Sequence, residues 1–288
     1  PSNGMRVAII GSGPAGITIA IILARYGYQV TIFEGKDKIG GVLRYGIPEF
    51  RLPKTVLDDI EYRHLALKGI KIRPNTTIGG AIGIDDLFRD GYKSIFIGTG
   101  VWKPNSLHIK GETFGNVHFG INYLNNPDSY HLGETVIVIG AGNVAMDAAR
   151  TALRIGAASV TVLHREAAND VPALKAEYEA AKQEGVNFLP AVTPLRFMVT
   201  NKVLGLQYSS LSTEPSVNQQ QRTFINADKI IIAIGQKPSN QIISTTPGIE
   251  VTPDGFVKTK DRPYGMSTKH GVFSGGDVVQ IGRASCRE

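Results

Sequence analysis

The sequence predicts an α/β fold with two parallel sheets, each built on its own βαβ unit. Three observations carry this expectation. A β-branched strand, a glycine turn, an apolar helical run and a second strand follow one another in RVAIIGSGPAGITIAIILARYGYQVTIFEG from Arg6. The same order recurs in TVIVIGAGNVAMDAARTALRIGAASVTVLHRE from Thr135. The 288 residues suffice for two domains with separate cores, and 33 glycines with 42% apolar content suit many tight turns and close backbone approaches. Both units should be parallel with right-handed crossovers.

The totals narrow the class. The net charge is +6, from 31 basic against 25 acidic residues, and the basic residues are dispersed without interleaved aromatics, so no nucleic-acid partner is expected. Phosphate-bearing cofactors or an acidic protein partner suit the excess, as does an ordinary solvated surface. The single cysteine, Cys286, excludes a disulfide framework, a CxxC pair and an iron–sulfur cluster held wholly by this chain. It also points to a reducing, cytoplasmic location. The apolar run ITIAIILA at 17–24 is too short to span a bilayer and follows a glycine motif rather than a basic leader. The six histidines are scattered without metal-ligand spacing. Met5 stands behind PSNG, which leaves these first residues as an added leader or the chain as a piece of a longer protein.

Between the two units the sequence predicts a helix from Val56 to Lys68, a strand near KSIFIGTG and an irregular stretch around 103–133 where the chain crosses between domains. After the second unit come a helix from Ala173 to Glu184 and strand signals near 197–211. A polar loop, STEPSVNQQQRTF, reads as a hairpin tip, and KIIIAIG reads as a buried strand. The stretch GGVLRYGIPEFRLPK at 40–54 is too rich in glycine and proline for a regular helix or central strand, and too apolar for a solvated loop. The domain organisation expected is a discontinuous first domain over 1–105 and 237–288, interrupted by a second over 106–236.

The chemistry lies in the glycine turns. Gly11, Gly13 and Gly16 form G-x-G-x-x-G between strand and helix, with Pro14 and Ala15 between them. The first glycine allows the turn, the second lets backbone approach a pyrophosphate, and the third lets helix and strand pack. The phosphates would sit at the helix N-terminus, where N–H groups and the dipole favour negative charge. Glu34 ends the second strand, eighteen residues after Gly16, where a ribose hydroxyl needs an acceptor. A structural turn is the alternative reading.

Gly140, Gly142 and Ala145 form the variant G-x-G-x-x-A, with Asn143 and Val144 at the helix start. The strand after it ends in His164, Arg165 and Glu166. Arg165 suits a 2′-phosphate and favours NADPH over NADH, though Glu166 would oppose that phosphate unless it points away. A surface pairing of Arg165 with Glu166 or Asp170 is the competing reading. His164 reads as a strand-end residue rather than a proton donor. Two nucleotide sites make chemical sense as a flavin and a nicotinamide, with FAD on the first. Asp277, after Gly276, fits a late acid reaching the flavin's ribityl or phosphate region, against an ordinary turn. Gly100 and Gly235 sit at strand exits that are either beside the cofactors or simply packing turns. Ile78 joins the FAD candidates.

Taken in order, GSGPAG, GGVLRYGIPEFRLPK, GAGNVAMDAAR, IIAIGQKP and GVFSGGDVV resemble the small (β) subunit of NADPH-dependent glutamate synthase and its relatives. These relatives include the flavin- and NADPH-binding portion of dihydropyrimidine dehydrogenase and certain ferredoxin–NADP reductases. The resemblance covers about Met5 to Val279. It implies two Rossmann-like domains, with Gly41, Val42 and Leu43 along the isoalloxazine and Arg51 reaching the flavin. The 40–54 stretch would then be a flavin cradle. It also implies that NADPH reduces FAD and that electrons leave to an iron–sulfur protein or a large catalytic subunit.

Full-length relatives carry a cysteine-rich N-terminal region for iron–sulfur clusters that is not present here, so another chain or another part of the protein is expected to accept the electrons. They also continue past the Gly-Asp pair into an Ala/Gly-rich stretch and a helix. Here GRASCRE follows instead, and looser FAD retention is the expectation. Asp147, Glu49 and His118 receive no catalytic role. A thiol–disulfide reductase would need a cysteine pair, and a non-catalytic nucleotide-binding module is the alternative from another class. The final acceptor stays open among glutamate synthesis, pyrimidine, sulfur and ferredoxin chemistry, and the resemblance alone tilts it toward glutamate synthase.

Overall fold

The computed structural model describes residues 2–167, 170–200, 203–210 and 222–281. The chain begins with β1 (Arg6–Ile10), α1 (Pro14–Arg25), β2 (Gln29–Phe33), α2 (Val42–Tyr45), α3 (Thr55–Asp59), β3 (Lys71–Arg73), α4 (Ile84–Arg89) and β4 (Ser94–Ile97). It continues with β5 (Val117–Phe119), α5 (Gly120–Asn125), β6 (Thr135–Ile139), α6 (Asn143–Arg154), β7 (Ser159–Leu163), α7 (Lys175–Gln183) and β8 (Asn187–Leu189). Then come β9 (Val192–Thr200), β10 (Val203–Ser210), β11 (Arg222–Ala227), β12 (Lys229–Ile232), α8 (Gln241–Ser244) and β13 (Val272–Ser274). Two compact units divide this chain: 1–45, 49–103 and 236–288 in the first, 46–48 and 104–235 in the second.

The first unit is built on a five-stranded sheet in the order β13-β4-β1-β2-β3, every pairing parallel. Strands of such a sheet are buried on both faces and read as continuous apolar runs. Here Ala8 and Ile10 of β1 join Ile95, Ile97, Leu87 and Val272 in one cluster, while Ile9 joins Ile17 and Ala20 of α1 and Ile32 of β2 in another.

The second unit repeats the plan in the order β5-β12-β6-β7-β8, again wholly parallel. Val136 and Val138 face the alanines of α6, and Ile137 and Ile139 face the other way. There they share a core with Phe197 and Leu206 of an antiparallel sheet, β9-β10-β11. Arg150, nearly buried on α6, donates to Glu177 of α7 at 2.7 Å and to Glu184 at 2.8 Å, which fastens the two helices.

Several sequence expectations need correction. Residues 42–45 of the glycine- and proline-rich stretch do form one turn of helix, α2, flanked by Gly41 and Gly46. The helix expected over 56–68 starts at Thr55 and changes winding, with a wide π stretch at Ile60–Leu65 and a tight 3₁₀ turn at Ala66–Lys68. The stretch 103–133 carries β5 and α5, with Gly120, Ile121, Tyr123 and Leu124 buried. Its short apolar run is too brief to declare a period before packing decides it. Residues 212–221 of the polar loop and Cys286 lie outside the described residues. Among the described residues no helix is long and apolar enough to cross a membrane, and no group of three or more His, Cys, Asp or Glu could hold a metal ion.

Candidate functional site

The first unit holds a cleft of about 490 Å³ at the carboxyl ends of its strands. That is within the range of small-molecule and cofactor pockets and follows the rule for open parallel sheets. The turn after β1 shapes it. A Cβ at Gly16 would stand 2.0 Å from the Gly11 carbonyl oxygen, so only glycine lets α1 close onto the turn. Gly13 is the extended N-cap of α1, and no side chain caps it. Pro14 occupies the first turn, which contains no acidic residue, and open space surrounds the Gly13 Cβ position. The first N–H groups of a helix lack intrahelical partners, and no acid in the first turn of α1 competes for them.

Glu34, at the end of β2, is buried and oriented by its own chain. Its Oε2 accepts from the Ser12 N–H at 2.9 Å and from the Ser12 hydroxyl, and its Oε1 accepts from the Lys36 N–H at 2.8 Å. A carboxylate has about four lone-pair sites, and three are filled, so capacity remains for one further donor such as a ribose hydroxyl.

The stretch from residue 40 begins against this turn. The Gly40 N–H donates to the Ser12 carbonyl at 3.0 Å, and a Cβ at Gly41 would meet the Gly13 Cα at 2.8 Å. Further along, Lys54 Nζ donates to the Leu43 carbonyl at 2.8 Å, and Arg44 Nη2 pairs with Asp58 at 2.7 Å. Burial and a hydrogen bond to Asp37 push the Tyr45 hydroxyl up to about 12.

Of the sequence candidates, Gly11, Gly13, Pro14, Ala15, Glu34, Gly41, Val42, Ile78, Gly100, Gly276 and Asp277 all line the cleft. Gly16 packs behind the turn, and neither Leu43 nor Arg51 is on the lining. Sequence reasoning missed Ser12, Lys36, Thr76, Thr77 and Trp102, which do line it. Lys36 sits two residues from Glu34 and could have been found by that spacing. Nothing local marks the others. The residues present fit a dinucleotide, because a Cβ-free phosphate turn, an uncapped helix and an oriented carboxylate share one wall.

The second unit repeats the phosphate turn. Gly140 has φ +129°, and a Cβ there would lie 2.2 Å from the Ala233 carbonyl oxygen. Gly142 is the extended N-cap of α6, again without a capping side chain, without an acid in the first turn and with open space at its Cβ position. Ala145, third in the motif, is fully buried and packs its methyl into the core. Asn143 Oδ1 accepts from the Leu174 N–H at 2.9 Å.

At the end of β7 the His164 side chain is buried with neither ring nitrogen hydrogen-bonded, and its Nδ1 lies 3.8 Å from Glu166 Oε2. Burial holds its pKa below the ordinary value, and Glu166 opposes this only in part. Arg165 is exposed and donates from Nε to Glu166 Oε1 at 3.2 Å, which is the surface pairing left open above. Gly235, with φ +92°, accepts from the Asn105 N–H at 3.0 Å. One strand end thus carries a buried imidazole without a hydrogen-bond partner and an exposed guanidinium paired with Glu166.

Two parallel-sheet units, each with a glycine turn opening a helix, define a two-dinucleotide oxidoreductase. Residues 5–286 match the family model described as pyridine nucleotide-disulphide oxidoreductase, and the chain belongs to that family of FAD- and NAD(P)-dependent oxidoreductases. Within it the chain resembles glutamate synthase small chains. It is 34% identical to the glutamate synthase [NADPH] small chain of Halomonas elongata over 96% of this chain and 63% of that one. It is 31% identical to that of Escherichia coli over 96% and 64%. The NADP(+)-dependent formate dehydrogenase subunit beta of Moorella thermoacetica is 35% identical over 96% of this chain and 41% of that one. The chain thus spans less than two thirds of the length of these relatives. In fold it superimposes on Lactococcus lactis thioredoxin reductase with a TM-score of 0.72 at 24% identity, over 96% of this chain and 91% of that one.

Proposed function

We propose that this chain is the electron-input part of an NADPH-dependent oxidoreductase of the glutamate synthase small-chain type. FAD would occupy the first unit and NADPH the second. The observation that carries the reading is the duplicated helix start: α1 and α6 both open on an extended, uncapped glycine with no acid in the first turn. When bound, the two cofactors supply hydride transfer between nicotinamide and flavin and onward single-electron delivery.

The residues do the binding and orienting. Gly11, Gly13, Pro14, Ala15 and the start of α1 hold the FAD pyrophosphate, and Gly16 seats the helix. Glu34 accepts from the ribose. Gly41, Val42, Leu43, Arg51, Ile78, Gly100, Gly276 and Asp277 complete the flavin side. Gly140, Gly142, Asn143, Val144 and Ala145 hold the NADPH pyrophosphate, with His164, Arg165 and Gly235 around its remaining groups. No side chain is asked to be a general acid or base, since holding the two rings in a productive geometry supplies the rate. An iron–sulfur protein or large subunit is the electron acceptor in this reading. It is supported by relatives named as small chains and beta subunits.

The test is the visible spectrum of the purified protein followed by anaerobic NADPH. Oxidised-flavin bands that bleach on addition are the expected result. A colourless protein that also fails to take up added FAD would overturn the reading.

A further inference from the structure

Trp102 is the one tryptophan in the chain, and it lies on the wall of the first cleft rather than in a core cluster. Its position within the cleft can be fixed from Glu34. The Lys36 N–H is bonded to the Glu34 carboxylate, and Lys36 Nζ lies over the Trp102 ring, 5.9 Å from its centroid. The same ammonium lies 5.4 Å from the Tyr45 ring centroid. The Thr76 N–H donates to the Glu34 carbonyl at 2.8 Å, which brings Thr76, Thr77 and buried Ile78 to the same end. The indole therefore stands at the Glu34 end of the cleft.

Resting on the proposed function, where Glu34 accepts from the ribose, the base attached to that ribose must lie within one sugar's reach of the carboxylate. A half-buried indole is large and stiff, and a flat π-system stacks on it whatever its edge presents. Ile78 and the threonines can enclose a purine but offer it no face. We propose that Trp102 is the adenine-stacking wall of the FAD site and fixes the base end of the cofactor. Lys36 holds the indole by a cation–π contact over one face of the ring, and the base would stack on the other.

The test reads Trp102 itself. In the full chain freed of flavin, ADP should quench the tryptophan emission saturably, and inorganic pyrophosphate, which lacks the base, should not. Calorimetry should show ADP bound about tenfold more weakly by Trp102→Ala, with Trp102→Phe close to the parent, as expected for loss and retention of one stacked base. Gly13→Asp should abolish the quench, because its carboxylate would sit at the phosphate turn where a Cβ is accommodated freely. The wall is overturned if ADP binds by calorimetry while emission and the Trp102→Ala affinity stay unchanged. It is equally overturned if pyrophosphate quenches as ADP does, or if the Gly13→Asp protein still quenches. If FAD binds but ADP leaves Trp102 unaffected, only this inference fails. If neither binds, the proposed function fails with it.

Discussion

Ser12 is tied twice to Glu34: both its N–H and its hydroxyl donate to the same carboxylate oxygen, Oε2. The glycine turn and the Glu34 carboxylate are thus one rigid piece joining the ends of β1 and β2. Glu34→Gln would set an amide N–H against one of the three donors now aimed at the carboxylate. Hydrogen bonds to a buried charge contribute about 2 kcal/mol each, so one such bond's worth of stability should be lost, together with weaker FAD binding. Thermal unfolding and a flavin titration of the variant check this; an unchanged melting temperature would refute the rigid-piece account.

Gly142→Asp should remove NADPH-driven bleaching and leave the flavin bands in place. The Cβ position is open, so the fold should accept the substitution while the carboxylate repels the phosphates. Anaerobic reduction monitored in the visible tests it. Loss of flavin along with NADPH reactivity would contradict two separate sites.

Arg165→Ala should raise the KM for NADPH about tenfold and hardly alter that for NADH, given about 1.5 kcal/mol for a charge-assisted bond. The side chain is 83% exposed, so stability should be unaffected. Glu166→Gln should act oppositely and lower the KM for NADPH, by freeing the guanidinium and removing a like charge from the 2′-phosphate. Steady-state kinetics with both nucleotides decides the matter.

The second unit should lose stability on mild acidification. Burial lowers the pKa of both His164 and His118, with Lys229 adding to the effect at His118. Both remain neutral when folded at pH values where the unfolded chain, titrating near 6.5, already binds protons. The unfolded state therefore holds more protons below that pH, and stability falls as pH drops from about 6.5 toward the lowered folded values. Melting curves between pH 7.5 and 5.5 should show this decline. His164→Leu should flatten it, leaving the share due to His118.

Most of the frame was legible because it is local. Each glycine turn lies within one strand–turn–helix, and Glu34 follows at a distance set by one helix and one strand. The lining residues Thr76 and Trp102 were not legible, since Thr76 meets Glu34, and Trp102 meets Lys36, only through tertiary pairing. The one-turn helix at Val42–Tyr45 was misread because its hydrogen bonds start at Gly40 and Gly41, residues that argue against a helix on composition. Arg150 gave no signal within its own motif. Its partners, Glu177 and Glu184, lie on and just after another helix, and only packing reveals the clamp.

The long segment of the second unit, 104–235, begins and ends at one spot, where the Asn105 N–H meets the Gly235 carbonyl at 3.0 Å. In the first unit, β13 pairs directly with β4 although 174 residues lie between Ile97 and Val272. Nothing in the first sheet's strand order depends on what lies between. A body whose ends touch can be spliced into a loop at little entropic cost. That makes 104–235 a cassette, a segment whose two ends meet and whose removal would leave the first sheet's strand order intact.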